Sequence, residues 1–336
     1  MPKIVSLTLS NSKHAIQLTN VGASLMSWKV ISKNQKEIDV ILGFSRAGDY
    51  LKDHPFFGSV VGRYANRIAE GKFELNGTAY DLELNNKGNH LHGGSRNFGT
   101  RIWEVKSQNE YQVIFSLESE NLDANYPGNL SIEVKYTLSS KGELHIECEA
   151  ICDKDTICNL TNHAYFNLSG ESHGEIFDDH EFQIKASHFL PIDETSIPTG
   201  VYQSVENTLM DFRNQRKIDK STLYKAPYFE LTRAYDHNFV LGRNRKMRHA
   251  ANVKSVTSGI MLDCYTDKPG MQFYLACFLE GFKSKQGIEY VPFGAFCLEA
   301  QFFPDSPNKN YFPSSILRAH ETYRQHTIYK LSPGSN

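Results

Sequence analysis

Apolar and polar residues alternate one for one over long stretches of this chain, and that period admits few folds. Leu130, Ile132, Val134, Tyr136 and Leu138 alternate with Ser131, Glu133, Lys135 and Thr137. From Glu143 to Ala150, Leu144, Ile146, Cys148 and Ala150 alternate with Glu143, His145, Glu147 and Glu149. Successive side chains on a strand point to opposite faces, so each segment predicts a strand with one buried and one wet face. Phe73 and Leu75 run through Asn76-Gly77, a favoured two-residue hairpin turn, into Tyr80, Leu82 and Leu84. Ile4–Leu9 and Ala15–Leu18 predict another hairpin around Asn11. Helical signal is confined to Arg46–Asp53 and Ser314–His320, each long enough only for a short helix. No fixed-period repeat supports a propeller or solenoid, and no Gly- or Ser-rich linker divides the chain. The expectation is all-β: one large antiparallel domain over residues 1–336, with very few helices and with function carried on loops.

Charge removes other classes. Lys and Arg number 36 against 38 Asp and Glu, a formal charge of -2, so no overall field gathers a polyanion and no nucleic-acid partner is expected. The basic stretch Arg243–Lys254, which contains Arg245, has no interleaved aromatics and reads as an exposed loop. Residues 213–227 read as a further loop. No run approaches the ~18–20 apolar residues of a membrane span. Met1–Leu7 lacks the apolar core of a signal peptide. The six cysteines (Cys148, Cys152, Cys158, Cys264, Cys277 and Cys297) mostly sit in strand-like runs and not at zinc-ligand spacings. Reduced thiols and a cytoplasmic location are the expectation. Without a leader, the sequons at Asn76, Asn129, Asn159 and Asn167 read as chance.

Several segments set costly polar groups among aromatics. If Cys158–Leu168 is a strand, Asn159, Thr161, His163, Tyr165 and Asn167 share one face, opposite Leu160, Ala164, Phe166 and Leu168. An uncharged polar face fits a cleft lining and an ordinary surface strand equally well. In Pro292–Phe303, Phe296, Leu298, Ala300 and Phe302 share a face, with Cys297, Glu299 and Gln301 opposite. Glu299 is the only charge between Glu289 and Asp305. Burial would raise its pKa toward the range of a general base, although a salt-bridged structural Glu fits the spacing too. Gly62–Ile68 holds Arg63, Asn66 and Arg67, and Arg is a strong fork donor for ligand oxygens. His90 and His92 stand at i and i+2, but no carboxylate lies at a familiar metal-site spacing, so no metal is expected. Tyr235–Phe239 and Pro269–Tyr274 each plant a polar group beside aromatics. Rings for C–H faces, with donors and acceptors for hydroxyls, suit a sugar. Nucleophile elbow, phosphate loop and dinucleotide fingerprint are all missing.

These segments resemble the aldose 1-epimerase (galactose mutarotase) family. The matching stretches are GRYANRI at Gly62–Ile68, NHLHGG at Asn89–Gly94, NLTNHAYFNL at Asn159–Leu168 and LPIDETSIPTG at Leu190–Gly200. YDHNF at Tyr235–Phe239, PGMQFY at Pro269–Tyr274 and FCLEAQFFP at Phe296–Pro304 follow in the family's order, the last running into Asp305-Ser306-Pro307-Asn308. The resemblance implies a large β-sandwich of the supersandwich kind, in the cytosol, with no organic cofactor. It implies a monosaccharide substrate such as galactose or glucose, and a monomer or weak homodimer. By position, His163 matches the family's general acid and Glu299 its general base. Asn66, Arg67, His92, Tyr165, Asp236 and Gln272 match positions that bind the sugar, while Arg63 and His90 receive no contact. The implied reaction interconverts α and β anomers by opening the hemiacetal and reclosing it on the other face. It asks His163 to hold a proton near pH 7, helped by Asp236, and Glu299 to be ionised yet basic.

Other readings use the same residues. A glycoside hydrolase would pair Glu299 with Asp236, ~6.5–9.5 Å apart if inverting. A sugar-binding β-sandwich needs the aromatics and amides but no acid–base pair. A mutarotase for phosphorylated hexoses needs additional basic groups in the cleft.

Overall fold

The structure, a computed structural model, describes residues 3–226, 229–244 and 246–333. Leu130–Leu138 and Glu143–Cys152 are adjacent strands inside a nine-stranded sheet. Their order of pairing is antiparallel and unbroken, from Leu130 opposite Cys152 to Leu138 opposite Leu144. The alternation divides as expected, with Ile132, Val134 and Ile146 buried and Ser131 and Glu133 exposed. Among the described residues no helix is long and apolar enough to cross a membrane.

Two smaller sheets lie against this one. A four-stranded sheet runs through Ser6–Ser10, His14–Thr19, Ser24–Ile31 and Glu37–Asp39. A five-stranded sheet has the spatial order Gln203–Ser204, His188–Leu190, Asp236–Val240, Gly270–Leu275 and Phe296–Gln301. Val134, Ile146 and Tyr329 from the large sheet join Leu18 and Trp28 of the second, and Phe239, Phe273 and Leu298 of the third, in one apolar cluster. Each such fully buried side chain contributes about 1.5–3 kcal/mol. Tyrosine hydroxyls cross the core: Tyr329 donates to the Leu298 carbonyl at 2.6 Å and Tyr136 to that of Ala23 at 2.7 Å. This is the expected all-β antiparallel sandwich.

The first hairpin pairs Ser6–Ser10 with His14–Thr19, and Asn76 and Gly77 take the positive φ of a two-residue hairpin turn. Residues Ala47–Leu51 form the short helix expected there. Ser314–His320 is not a helix. Ser315 and Leu317 are buried and Ile316–Leu317 pairs with Thr156–Ile157, a period of two too short to stand out in sequence. Nor is Arg243–Lys254 a loop throughout. Arg248–Ser255 is a strand of the large sheet, and Arg245 lies outside the described residues. The 213–227 stretch contains the Arg216–Lys217 strand and one helical turn at Lys220–Leu223, and its residue 227 lies outside the described residues. Cys158–Leu168 is strand only at Thr161–Asn162. No face of it meets solvent, because every residue from Thr156 to Leu168 is buried.

Candidate active site

One face of the five-stranded sheet packs into the core through Phe239, Phe273 and Leu298. On the opposite face, antiparallel register sets polar residues in rows. Asp236, Tyr274 and Cys297 form one row, and Asn238, Gln272 and Glu299 the next. Glu299 is therefore aimed away from the core by the same alternation that buries Leu298 and Ala300. It reaches the floor of a cavity of about 200 Å³ lined by Asn66, Arg67, His92, His163, Tyr165 and Asp236, with Asn86, Phe56 and Tyr274 among its other walls.

His163 enters from the irregular segment along the sheet edge. Its backbone is clamped on both sides, N–H to the Ser59 carbonyl at 2.8 Å and C=O accepting from Gly58 at 3.0 Å. Its ring lies between those of Phe56 and Tyr165, with centroids 5.9 and 5.0 Å away and planes within 30° of parallel. His163 Nε2 then stands 3.6 Å from Glu299 Oε1. Burial pushes the His163 imidazole down to about 4, against the charge of Asp236. Burial also raises the Glu299 carboxyl well above its ordinary range, Asp236 adding to the rise and Arg67 opposing it. The imidazolium expected at pH 7 is thus not favoured by the protein alone. Both shifts oppose charge separation, favouring a neutral imidazole beside a neutral carboxyl group over an imidazolium–carboxylate pair.

The roof is a loop in which Asn66 and His92 both adopt positive φ. They lock each other: Asn66 N–H donates to His92 Nδ1 at 3.1 Å, and His92 N–H to the Asn66 carbonyl at 3.0 Å. Because Nδ1 accepts, His92 carries its proton on Nε2, and burial holds the ring neutral. Arg67 donates through Nε to Asn86 Oδ1 at 3.1 Å and sets Nη1 3.5 Å from Asp236 Oδ2. Asp305, in the Asp-Ser-Pro-Asn run, binds the Arg67 carbonyl through its N–H at 2.8 Å.

The eight sequence-predicted residues therefore gather in one place, with two in altered postures. Tyr165 donates its hydroxyl to the Pro55 carbonyl at 2.7 Å and offers the cavity its ring. Gln272 stands outside the wall and donates to Asp236 Oδ1 at 2.6 Å, orienting that carboxylate. Arg63 and His90 face elsewhere. The Arg63 guanidinium donates to the carbonyls of Ser119, Pro127 and Gly128, and His90 bonds Tyr126 Oη and the Glu83 carbonyl, each at 2.7 Å. Sequence reasoning missed Asn86, whose contact with Arg67 joins two distant segments and leaves no local signal.

His92, His163 and Glu299 bring potential ligand atoms within 4.8 Å of one another. The tautomer of His92 points an N–H, not a lone pair, at that point, which suits a sugar oxygen better than a cation. Two imidazoles, a buried carboxyl group, an Arg–Asp pair and aromatic walls make a site that suits a small polyhydroxylated ring.

Comparison with known proteins agrees with that chemistry. The sequence profile described as aldose 1-epimerase matches residues 5–330. The galactose mutarotase of Rattus norvegicus is 40% identical over 320 residues, 94% of this chain and 91% of that protein. The aldose 1-epimerase of Escherichia coli K12 is 36% identical over 330 residues, 96% of this chain and 94% of that one. Among solved structures, an aldose epimerase homologue from C. elegans superposes with a TM-score of 0.92 at 32% identity, covering 99% of this chain and 100% of its own. A galactose 1-epimerase from Lactobacillus acidophilus gives 0.85 at 26% identity, covering 99% and 96%. With its β-sandwich, its cavity and near full-length likeness to these proteins, this chain belongs to the aldose 1-epimerase family.

Proposed function

We propose that the chain is a mutarotase that interconverts the α and β anomers of aldohexoses such as galactose and glucose. The observation that carries this is the buried His163–Glu299 pair, 3.6 Å apart at the floor of a sugar-sized cavity. Opening the ring removes a proton from the C1 hydroxyl and delivers one to the ring oxygen. Glu299 takes the first and His163 gives the second, while the C1–O5 bond breaks and C1 becomes a carbonyl. Turning about C1–C2 presents the other face. Closure then runs in reverse, Glu299 returning its proton to the C1 oxygen and His163 removing the one on O5. The pair holds one proton throughout, on His163 before opening and on Glu299 after it. The shifts that disfavour the charged form of each group keep the second arrangement accessible. His92 Nε2–H, Arg67 and Asp236 hold the remaining hydroxyls.

Unmodified sugars suit the cavity better than hexose phosphates. Among the described residues lining it, Arg67 is the only Lys or Arg, and it is paired with Asp236. Polarimetry of freshly dissolved α-D-galactose and α-D-glucose in dilute buffer tests the proposal. A large acceleration to the unchanged final rotation supports it and ranks the two sugars. No acceleration by folded protein overturns it.

A further inference from the structure

Beyond the pair that moves protons, the polar face of the five-stranded sheet continues one row deeper. Gln301 lies two residues past Glu299 on the same face and pairs in register with Gly270. It is fully buried, and neither its Oε1 nor its Nε2 has a partner. On the same face of the sheet, Asn238 Oδ1 and Glu299 Oε2 are also buried without a partner.

Gly270 explains how they come together. A Cβ there would stand 2.3 Å from Asn238 Oδ1 and 2.8 Å from Phe303 Cδ1. The Asn238 amide thus occupies the place of the missing side chain, directly across from Gln301, where opposed Cβ positions are about 5 Å apart. Glu299 is two residues away along the strand, about 7 Å between Cα atoms. No direct hydrogen bond joins these atoms, and their gathering on one face of the sheet suits a bridging molecule. Buried polar atoms of this kind are satisfied by water, which makes about three hydrogen bonds at such a site.

We propose that Asn238, Gln301 and Glu299 hold an internal water behind the base, and that Gln301 is a positioning residue for Glu299. The water donates to Asn238 Oδ1 and Glu299 Oε2 and accepts from Gln301 Nε2. Oε1 of Glu299, on the His163 side, is left to meet the C1 hydroxyl. Gln301 touches no reacting atom. Its effect is to stop the carboxylate turning, so it acts on the proton-transfer step more than on sugar binding. The functional part of this rests on the mutarotase reading; the water site does not.

The test uses the full chain and two variants, Gln301→Met, which keeps volume and removes both polar atoms, and Asn238→Ser. Misplacement of a reacting group by about 1 Å costs up to about 100-fold, so kcat for mutarotation is expected to fall about 10- to 100-fold in Gln301→Met. KM stays within about threefold, and thermal melting confirms folding. Asn238→Ser follows in the same direction and answers for the site should Gln301→Met not fold. A high-resolution crystal structure of the wild type is expected to show ordered density within hydrogen-bond distance of both Gln301 and Glu299. Variants with wild-type kcat, or a loss confined to KM, overturn the positioning role. Density lacking in that gap overturns the water site. Wild-type protein that fails to accelerate mutarotation refutes the mutarotase reading instead, and the crystallographic result still decides the water.

Discussion

Glu299→Gln separates function from stability in opposite directions. The substitution keeps the shape of the side chain, so packing is unchanged, and it removes only the ability to ionise. Glu299 is 2% exposed, and burial lifts its folded pKa well above the ordinary value. A raised folded pKa means that the carboxyl's contribution to stability is fully present below the unfolded value, about 4.3. It is lost as pH rises through the folded value. Above that, the native state keeps a charge out of water, at a penalty of at least about 1–3 kcal/mol, the range for an uncharged buried group. The amide avoids the penalty. Unfolding entropy of about 2.1 cal/mol/K per residue gives roughly 0.7 kcal/mol/K for a chain of 336 residues. Glu299→Gln is therefore expected to melt at least about 1.5–4 °C above the wild type at pH 8, with the gap closing toward pH 5. Mutarotation falls about 10²–10⁴-fold in the same protein. Differential scanning fluorimetry from pH 5 to 9, beside polarimetry, reads both. A variant that melts lower at pH 8, or a gap that does not shrink in acid, refutes the account of Glu299 as a base kept under desolvation strain.

His163→Asn is expected to lose about 10²–10⁴-fold in turnover. Combined with Glu299→Gln it loses little more than the worse single variant, because the two groups handle one proton together; multiplied losses in polarimetry contradict that coupling. Tyr165→Phe keeps turnover within about threefold, since its hydroxyl is bound to Pro55, whereas Tyr165→Ala, which removes the ring beside His163, costs more than about tenfold. Equal losses in both would place the hydroxyl on the sugar. Arg63→Met leaves the carbonyls of Ser119, Pro127 and Gly128 without their donor, and urea unfolding should show a loss of about 3 kcal/mol or more with KM unchanged in the folded fraction. A raised KM at wild-type stability would move Arg63 into the sugar site.

Strands with one face in the core were legible because their period-two pattern is itself the result of one-sided burial. Leu130–Leu138 follows directly. Phe296–Gln301 is buried on both faces, and its alternation shows only because one face is apolar and the other carries Glu299 and Gln301. Cys158–Leu168 was not legible because it is buried all round and strand only at Thr161–Asn162, so its alternation marks no pair of faces. Its amides serve the backbone instead. Asn159 accepts from Phe302 N–H and donates to the Ala65 carbonyl, Asn162 donates to Gly58, and Asn167 to Gly174 and Gly294. Only His163 and Tyr165 of the presumed polar face line the cavity. The gathering of eight residues from distant segments came from family likeness, because no local period encodes a long-range contact. The same limit hid Asn86, whose role exists only once Arg67 reaches it, and the change of posture at Gln272.

That irregular segment also explains why His163 and Glu299 keep their spacing. The Phe296–Gln301 strand is the last in its sheet, and such an edge would expose unpaired backbone groups. The chain around His163 covers it. Phe166 and Phe296 exchange N–H to carbonyl bonds at 2.8 and 3.0 Å, and Asn159 receives the Phe302 N–H at 2.9 Å. These contacts fall on either side of the point where His163 faces Glu299. The separation between His163 and Glu299 is thus set by bonds to the backbone of the strand edge, one pair from the Phe166 backbone and one from the Asn159 side chain. Loosening that cover, by Asn159→Ala for example, costs the Phe302 bond at one anchor while leaving both reacting groups intact. The expected result is a fall in kcat larger than the accompanying change in KM, measured by the same polarimetry. An unchanged kcat in folded Asn159→Ala would show that the core side chains alone hold the pair in place.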